Sequence, residues 1–316
     1  MLVYGEPRYW GDTLWAMPRT AIVLVNRLKH ASREAVAEVR ELVTRRGVLI
    51  AERDAAALEP IQAGERPDVL VVLGGDGTLL GLSRTLAAGG PPMLGVNFGK
   101  LGFMAEFDMD SLRAQAECLF DGGALDVREL PLLDARVFGA LDSRVRFEGT
   151  CLNEAVVTAG PPYRMITLSL SINGETGPTL SGDGLIVSTP IGSTAYSLSA
   201  GGPIVSPGVE AMAITPIAAH TLSFRPIVVP LASELTVRVD RLNVAARGEA
   251  GAASVVGGGG GTTLVLDGQL HCPLEAGDRV VLTRSARSVR FVKNPDSHYW
   301  KTLTTKLHWA SSPLTP

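Results

Sequence analysis

The feature that most constrains this chain is a change of periodicity near Leu125. Before it, short apolar runs alternate with helical patterns. TAIVLVN from Thr20 reads as a buried strand, Ser32 to Arg46 as a helix with Ser32 as candidate N-cap, and DVLVVL from Asp68 as a second buried strand. Thr78 to Ala88 reads as a helix, PPMLGVN as a further strand and Asp110 to Phe120 as a closing helix. Unbroken apolar strands separated by helices imply an α/β domain, with a parallel sheet covered on both faces.

Beyond Leu125 β-branched segments follow one another instead: LLDARVF, SRVRFEG, LNEAVVTA, MITLSLSING, GLIVSTP, IVVPL, ELTVRVD, TLVLDGQ, RVVLTRS and VRFVKN. This half is expected to be a β-rich domain. The predicted division is therefore a flexible extension over 1–19, an α/β domain over 20–124, a β-rich domain over 125–295, and a C-terminal helix and tail over 296–316. Tyr299, Leu303 and Leu307 at helical spacing suit that last segment to packing back on the N-terminal domain. Met1 to Ala16 precede both Met17 and the first fold-like pattern, so they read as an extension or an upstream start; the low-complexity tract Gly248 to Thr262 reads as a flexible surface loop.

Composition removes several classes of function. The chain has 316 residues, 46% of them hydrophobic, enough for two ordinary domains. A net charge of -3 without a basic cluster offers nothing to a nucleic-acid backbone. Cys118, Cys151 and Cys272 are odd in number, widely spaced and without a CxxC, which points to a reducing compartment and gives no zinc signature. No apolar run reaches the roughly 18 to 20 residues of a membrane helix, and the charged start lacks a signal peptide's apolar centre; the expectation is a cytoplasmic protein that binds neither membrane nor nucleic acid.

Two glycine-rich stretches carry the chemistry. In VVLGGDGTLLG, Val71 to Gly81, a strand enters a glycine turn and a helix leaves it, an arrangement whose backbone N–H groups and helix dipole attract anions. The turn alone permits three readings. Asp-Gly is a common turn dipeptide, and Asp76 or Thr78 can simply cap the helix. Gly75, Gly77 and Gly81 form a loosened GxGxxG, although Asp76 would then sit against a pyrophosphate and the next strand ends in Asn97, not in an acidic residue. GVNFGKL, Gly95 to Leu101, is too short for a Walker A loop and lacks its Ser or Thr after Lys100. In the third reading Gly74, Gly75, Gly77 and Thr78 cradle donor phosphates, while Asp76 orients an acceptor hydroxyl and takes its proton.

The second stretch, SGDGLIVSTPIGSTAYSLSAGGPIVS, Ser181 to Ser206, is too polar and glycine-rich for an ordinary strand pair. Its hydroxyls and N–H groups suit a ribose, phosphate or amide, and AYSLSAGG has the look of a short helix. LNEAVV adds Asn153 and Glu154 at a strand start, able either to face solvent or to serve a cleft.

Together, GGDGT at Gly74 to Thr78, NFGKLGF at Asn97 to Phe103, LNE at Leu152 to Glu154, DGLIVSTPIGSTAYSLSAGGPIV at Asp183 to Val205, HTLSFRPIVVP at His220 to Pro230 and DGQ at Asp267 to Gln269 resemble the NAD kinases. GGDGT alone is shared with lipid and sphingoid kinases, whereas the long serine- and glycine-rich segment is specific. The resemblance implies transfer of the terminal phosphoryl of ATP, or of polyphosphate, to the 2'-hydroxyl of the adenosine ribose of NAD, with Mg2+ or another divalent cation. It implies Asp76 as proton acceptor with Gly77 against the substrate, and Asn153, Glu154, Asp183, Thr194, Ala195, Tyr196, Ser197, Leu198 and Ser199 in dinucleotide binding. Arg164 and Gln269 join that set by their spacing from neighbouring motifs. No protein ligand to the metal is implied. It also implies an active site in the interdomain cleft and assembly into homodimers or homotetramers. Ile191 and Ala219 depart from the commoner threonine and proline, and Ser181 is not the basic residue that some NAD-restricted members carry, which leaves NADH open as an acceptor.

Overall fold

The computed structural model describes residues 17–57, 61, 65–86, 89–99, 102–141, 144–221, 223–243 and 261–309. Met1 to Ala16, Lys100 and most of the glycine-rich tract lie outside the described residues. The chain divides into two compact units, Met1–Glu129 with Val289–Pro316, and Leu130–Ser288.

The first unit opens with β1 (Thr20–Val25), α1 (His30–Arg46), β2 (Val48–Asp54), β3 (Val69–Leu73), α2 (Asp76–Leu86), β4 (Met93–Val96) and α3 (Met109–Phe120). Its strands are parallel in the order β2-β1-β3-β4. β3 and β4 are buried at every position, and β1 at all but its first, as strands sandwiched between helical layers must be. Val39 and Val43 of α1 and Leu112, Ala116, Leu119 and Phe120 of α3 supply the apolar stripes that join Val23, Val71, Leu94 and Val96 in one core.

Helix starts follow local hydrogen bonding. Asp108 caps α3 by accepting from the Ser111 N–H at 2.8 Å, while the Asp108 N–H donates to Ser111 Oγ at 3.0 Å, a complete capping box. The expected cap at Ser32 is corrected. α1 begins two residues earlier because Asn26 turns the chain, its Oδ1 accepting from Leu28 N–H at 3.2 Å and its carbonyl from Lys29 N–H at 3.1 Å. Lys29 becomes the cap residue, and Ser32 is buried inside the first turn.

The second unit is β-rich. It contains most of β5 (Val127–Phe138), then β6 (Val145–Cys151), β7 (Glu154–Ala159), β8 (Ile166–Ile172), β9 (Glu175–Gly182), β10 (Gly184–Ser188), the short helix α4 (Tyr196–Ser199), β11 (Ala211–Ile217), β12 (Ile227–Pro230), β13 (Leu235–Arg241), β14 (Thr262–Leu266), β15 (Leu270–Pro273) and the start of β16 (Arg279–Val292). One antiparallel sheet runs β12-β11-β10-β7-β14-β15, and β16, β13, β8 and β9 pair antiparallel in that order in a second. Side chains from both sheets, Val157, Leu185, Ile214 and Leu264 from one and Leu168, Leu235 and Val237 from the other, share a core. β16 returns the chain to the first unit, where Phe291 pairs with Met93 of β4, and α5 (Tyr299–Leu307) follows with Leu303 buried.

Candidate active site

In the first unit the glycine turn sits where β1, β3 and β4 end, the carboxyl edge at which open α/β sheets bind ligands. Asp76 is the first residue of α2. Its carboxylate is held by three backbone amides of one loop: Phe103 N–H donates to Oδ2 at 2.9 Å, and Met104 and Ala105 N–H donate to Oδ1 at 3.2 and 3.0 Å. Gly102 is what lets that loop come so close, since a β-carbon there would lie 1.7 Å from Asp76 Oδ1. Lys306 Nζ, from α5, stands 3.8 Å from Oδ2.

The four residues expected to cradle phosphate differ in what they offer. Gly74 and Thr78 use their N–H groups internally, donating to the carbonyls of Val96 and Gly75, both at 2.9 Å. Thr78 Oγ1 also packs against Gly74 and accepts from Asn26 Nδ2 at 2.9 Å. The N–H groups of Gly75, Asp76 and Gly77 donate to nothing among the described residues. A β-carbon on Gly77 would meet open space, whereas one on Gly75 would lie 3.3 Å from Asn97 Oδ1 and 3.4 Å from Lys29 Nζ. The turn thus leaves three successive N–H groups unspent at a helix N-terminus, with a lysine beside them.

In the second unit the LNE, STPIGST and DGQ segments form one structure. Asp267 and Gly268 both have positive φ, 51° and 65°, so this Asp-Gly pair makes the tight turn between β14 and β15. Asp267 then turns its carboxylate to three successive amides, Leu152 at 2.9 Å, Asn153 at 2.8 Å and Glu154 at 3.2 Å. Thr189 donates its N–H to the Asn153 carbonyl at 2.9 Å and its hydroxyl to the Leu152 carbonyl at 2.5 Å. Gly192 lies flat on Asn153, where a β-carbon would come within 2.0 Å of the carbonyl oxygen.

Glu154 is 7% exposed at the start of β7, opposite Ser188 of β10. Burial, reinforced by the negative charge of Asp267, pushes its carboxyl up to about 7, against a lowering hydrogen bond from the Tyr196 N–H. Its Oε2 and the neighbouring Ser188 Oγ are buried without a hydrogen-bond partner.

Thr194, Ala195, Leu198, Ser199 and the exposed Tyr196 follow on the same segment. Ser197 is set apart from these. Its side chain is fully buried and its hydroxyl is 3.0 Å from Thr215 Oγ1, so it braces the segment from inside. Gln269 lies exposed beside Asp267. Asp183 and Arg164 are brought elsewhere: Asp183 precedes the end of β10 that pairs with Thr158, five residues and roughly 17 Å along the strand from Ser188. Both are exposed there.

Motif reading missed Lys29, Lys306, Gly102 and the carboxylate of Asp267. Only Asp267 carried a usable signal, the Asp-Gly pair of a hairpin turn. Among the described residues no group of three or more His, Cys, Asp or Glu is arranged to hold a metal ion, and no helix is long and apolar enough to cross a membrane.

Comparison with known proteins agrees with the motifs. Residues 23–124 match the ATP-NAD kinase N-terminal domain and residues 152–294 the ATP-NAD kinase C-terminal domain. The NAD kinase of Cupriavidus pinatubonensis is 36% identical over 307 residues, 94% of each chain, and that of Desulforamulus reducens 40% identical over 246 residues, 78% of this chain and 79% of the relative. Among solved structures, yeast NADH kinase complexed with NADH is similar with a TM-score of 0.75 at 22% identity, covering 97% of this chain and 91% of that one. An NAD kinase from Archaeoglobus fulgidus in complex with ATP gives 0.65 at 24% identity, covering 87% and 94%. These two support the fold, an α/β domain with parallel strands and a β-rich domain. With both family domains matched in order and relatives aligned over most of the chain, the protein belongs to the NAD kinase family.

Proposed function

We propose that this chain phosphorylates NAD to NADP, and that Asp76 is the residue on which the transfer turns. The observation that carries the reading is the Asp76 carboxylate, fixed by three amides at the head of a helix whose first N–H groups are unspent. A phosphoryl transfer of this kind is mostly positioning and electrostatic stabilisation. The 2'-hydroxyl oxygen of the adenosine ribose bonds to the terminal phosphorus of ATP, the bond from that phosphorus to the bridging oxygen breaks, and ADP leaves. The hydroxyl proton passes to Asp76. The N–H groups of Gly75 and Gly77, with Lys29, receive donor phosphate oxygens.

The β-rich unit holds the acceptor. Asn153, Glu154, Thr194, Ala195, Tyr196, Ser199 and Gln269 take the dinucleotide, and Leu198 borders them. Asp183 and Arg164 address its nicotinamide end. Mg2+ usually keeps several waters and is bound by one or two carboxylates plus substrate phosphates. Here waters and the substrate phosphates would hold the ion, which would neutralise charge building on the phosphates. The odd number and wide spacing of Cys118, Cys151 and Cys272 are in keeping with a cytoplasmic enzyme, for which a homodimer or homotetramer is the proposed assembly.

The test is a matrix of donors, ATP and polyphosphate, against acceptors, NAD and NADH, with Mg2+ present. NADP from NAD and ATP is expected. Asp76→Asn should fold normally and lose about 10²–10⁴-fold in turnover, the usual range for a lost general base. A folded Asp76→Asn variant with near-normal turnover ends the proton-acceptor role.

A further inference from the structure

Lys306 lies at the far end of the sequence from the glycine turn, yet it comes to Asp76. Its Nζ is 3.8 Å from Asp76 Oδ2 and 5.3 Å from the centroid of the Phe103 ring. Phe103 also gives its N–H to that same Oδ2. One residue therefore locates both partners, the carboxylate through its amide and the ammonium through the face of its ring. The helix carrying Lys306 is pinned separately, by burial of Leu303 and by the Tyr299 ring 6.5 Å from Phe103.

From this geometry we infer that Lys306 is a positioning residue for phosphoryl transfer, a fixed counter-charge that holds Asp76 in place and lets an anionic phosphoryl donor approach an anionic carboxylate. The inference rests on the kinase reading above. Three amides already occupy acceptor directions on both carboxylate oxygens, and 3.8 Å is beyond hydrogen-bond length, so the ammonium acts on Asp76 as a charge and not as a proton donor. In a site where the transferred group and the base carry the same sign, a preorganised cation favours the transition state, in which both are close, over the bound ground state. The lysine also borders a recess of about 480 Å³ lined by Ser111, His298, Lys301 and Thr305, so a change of side chain here has room and leaves the core intact.

The experiment compares wild type, Lys306→Met and Lys306→Arg in steady-state assays varying ATP and NAD separately, with thermal unfolding of each. Lys306→Met is expected to lose about 10-fold or more in kcat while both KM values stay within about 3-fold, because a charge acting through the base is felt in the transition state and not in ground-state binding. Lys306→Arg should recover most of the loss. Unchanged turnover in Lys306→Met overturns the inference. So does a raised KM for ATP at normal kcat, which makes the lysine a donor-binding group, or an equal loss in both variants with a lowered unfolding midpoint, which makes it structural. If wild type itself forms no NADP with either donor, the kinase reading fails and this inference with it; if wild type is active, any of the preceding three results removes the inference alone.

Discussion

Gly102 has no reactive group, yet it decides where Asp76 sits. A methyl group in its place would collide with the carboxylate at 1.7 Å and drive it out of the three-amide clasp. Gly102→Ala is expected to keep the fold, as judged by circular dichroism, and to lose at least about 10²-fold in turnover, since a displacement near 1 Å is enough for such a loss. Glu154 poses the opposite case, a reactive group under strain. Its folded-state carboxyl is raised to about 7 from an ordinary 4.5, so the folded protein binds the proton more tightly than the unfolded chain. The stability tied to Glu154 is therefore complete below about pH 4.5 and is lost as pH rises through about 7, an effect on the order of 3 kcal/mol. Urea titrations at pH 5 and pH 8 should show Glu154→Gln losing less stability between the two than wild type; equal losses would mean that the carboxyl titrates normally. Asp76, Glu154 and the segment from Thr194 to Ser199 stood out in the sequence as candidates because each sits in a continuous motif. Gly102, Lys29 and Lys306 were not, because a clash, a neighbouring ammonium or an ion pair exists only once distant segments meet.

At the level of elements, the buried strands of the first unit were plain from their unbroken apolar runs, and helix limits moved by only a few residues. The β-rich unit was legible in kind but not in detail. RVVLTRS and VRFVKN, read as two segments, are one strand, β16, whose ends answer to different neighbours: antiparallel β13 at Arg279 to Leu282, parallel β4 at Phe291. β9, the sequence ETGPTLSG, lies at the end of its sheet and carries too few apolar residues to announce itself. β11 contains Pro216, normally a mark against a strand. It is tolerated because β12 pairs only with Ala211 to Ile214, which leaves the chain at Pro216 with a neighbour on the β10 side alone. The Thr189 to Gly192 turn can be tested at this scale. Gly192→Ala would press a methyl group into the Asn153 carbonyl at 2.0 Å and separate the turn from β7. We expect a lower unfolding midpoint together with weakened NAD binding, measured by differential scanning fluorimetry with and without NAD. A normal midpoint with normal binding would show that the two segments move independently.

For the molecule as a whole, the first unit is made of two pieces of chain, one before and one after the β-rich unit. Its later piece is not ornamental. Asn294 gives its N–H to Glu106 Oε2 at 3.0 Å and its side-chain amide to the Glu106 carbonyl at 2.9 Å, while Phe291, Val292 and Leu303 are buried. A fragment spanning 17–129 is therefore expected to unfold without a cooperative transition, and one in which 289–309 follows through a flexible linker to regain it; urea unfolding followed by circular dichroism distinguishes the two. During synthesis this arrangement imposes an order of events. When Glu129 emerges from the ribosome the α/β unit still lacks its closing strand and helix, whereas the segment from Leu130 to Ser288 is complete before them and free to fold first. Asp76 is made early, but its counter-charge at Lys306 is made only after the whole of the β-rich segment. A nascent chain that has reached Ser288 would thus hold the glycine turn and the β-rich unit without the ammonium group that stands beside Asp76 in the finished fold.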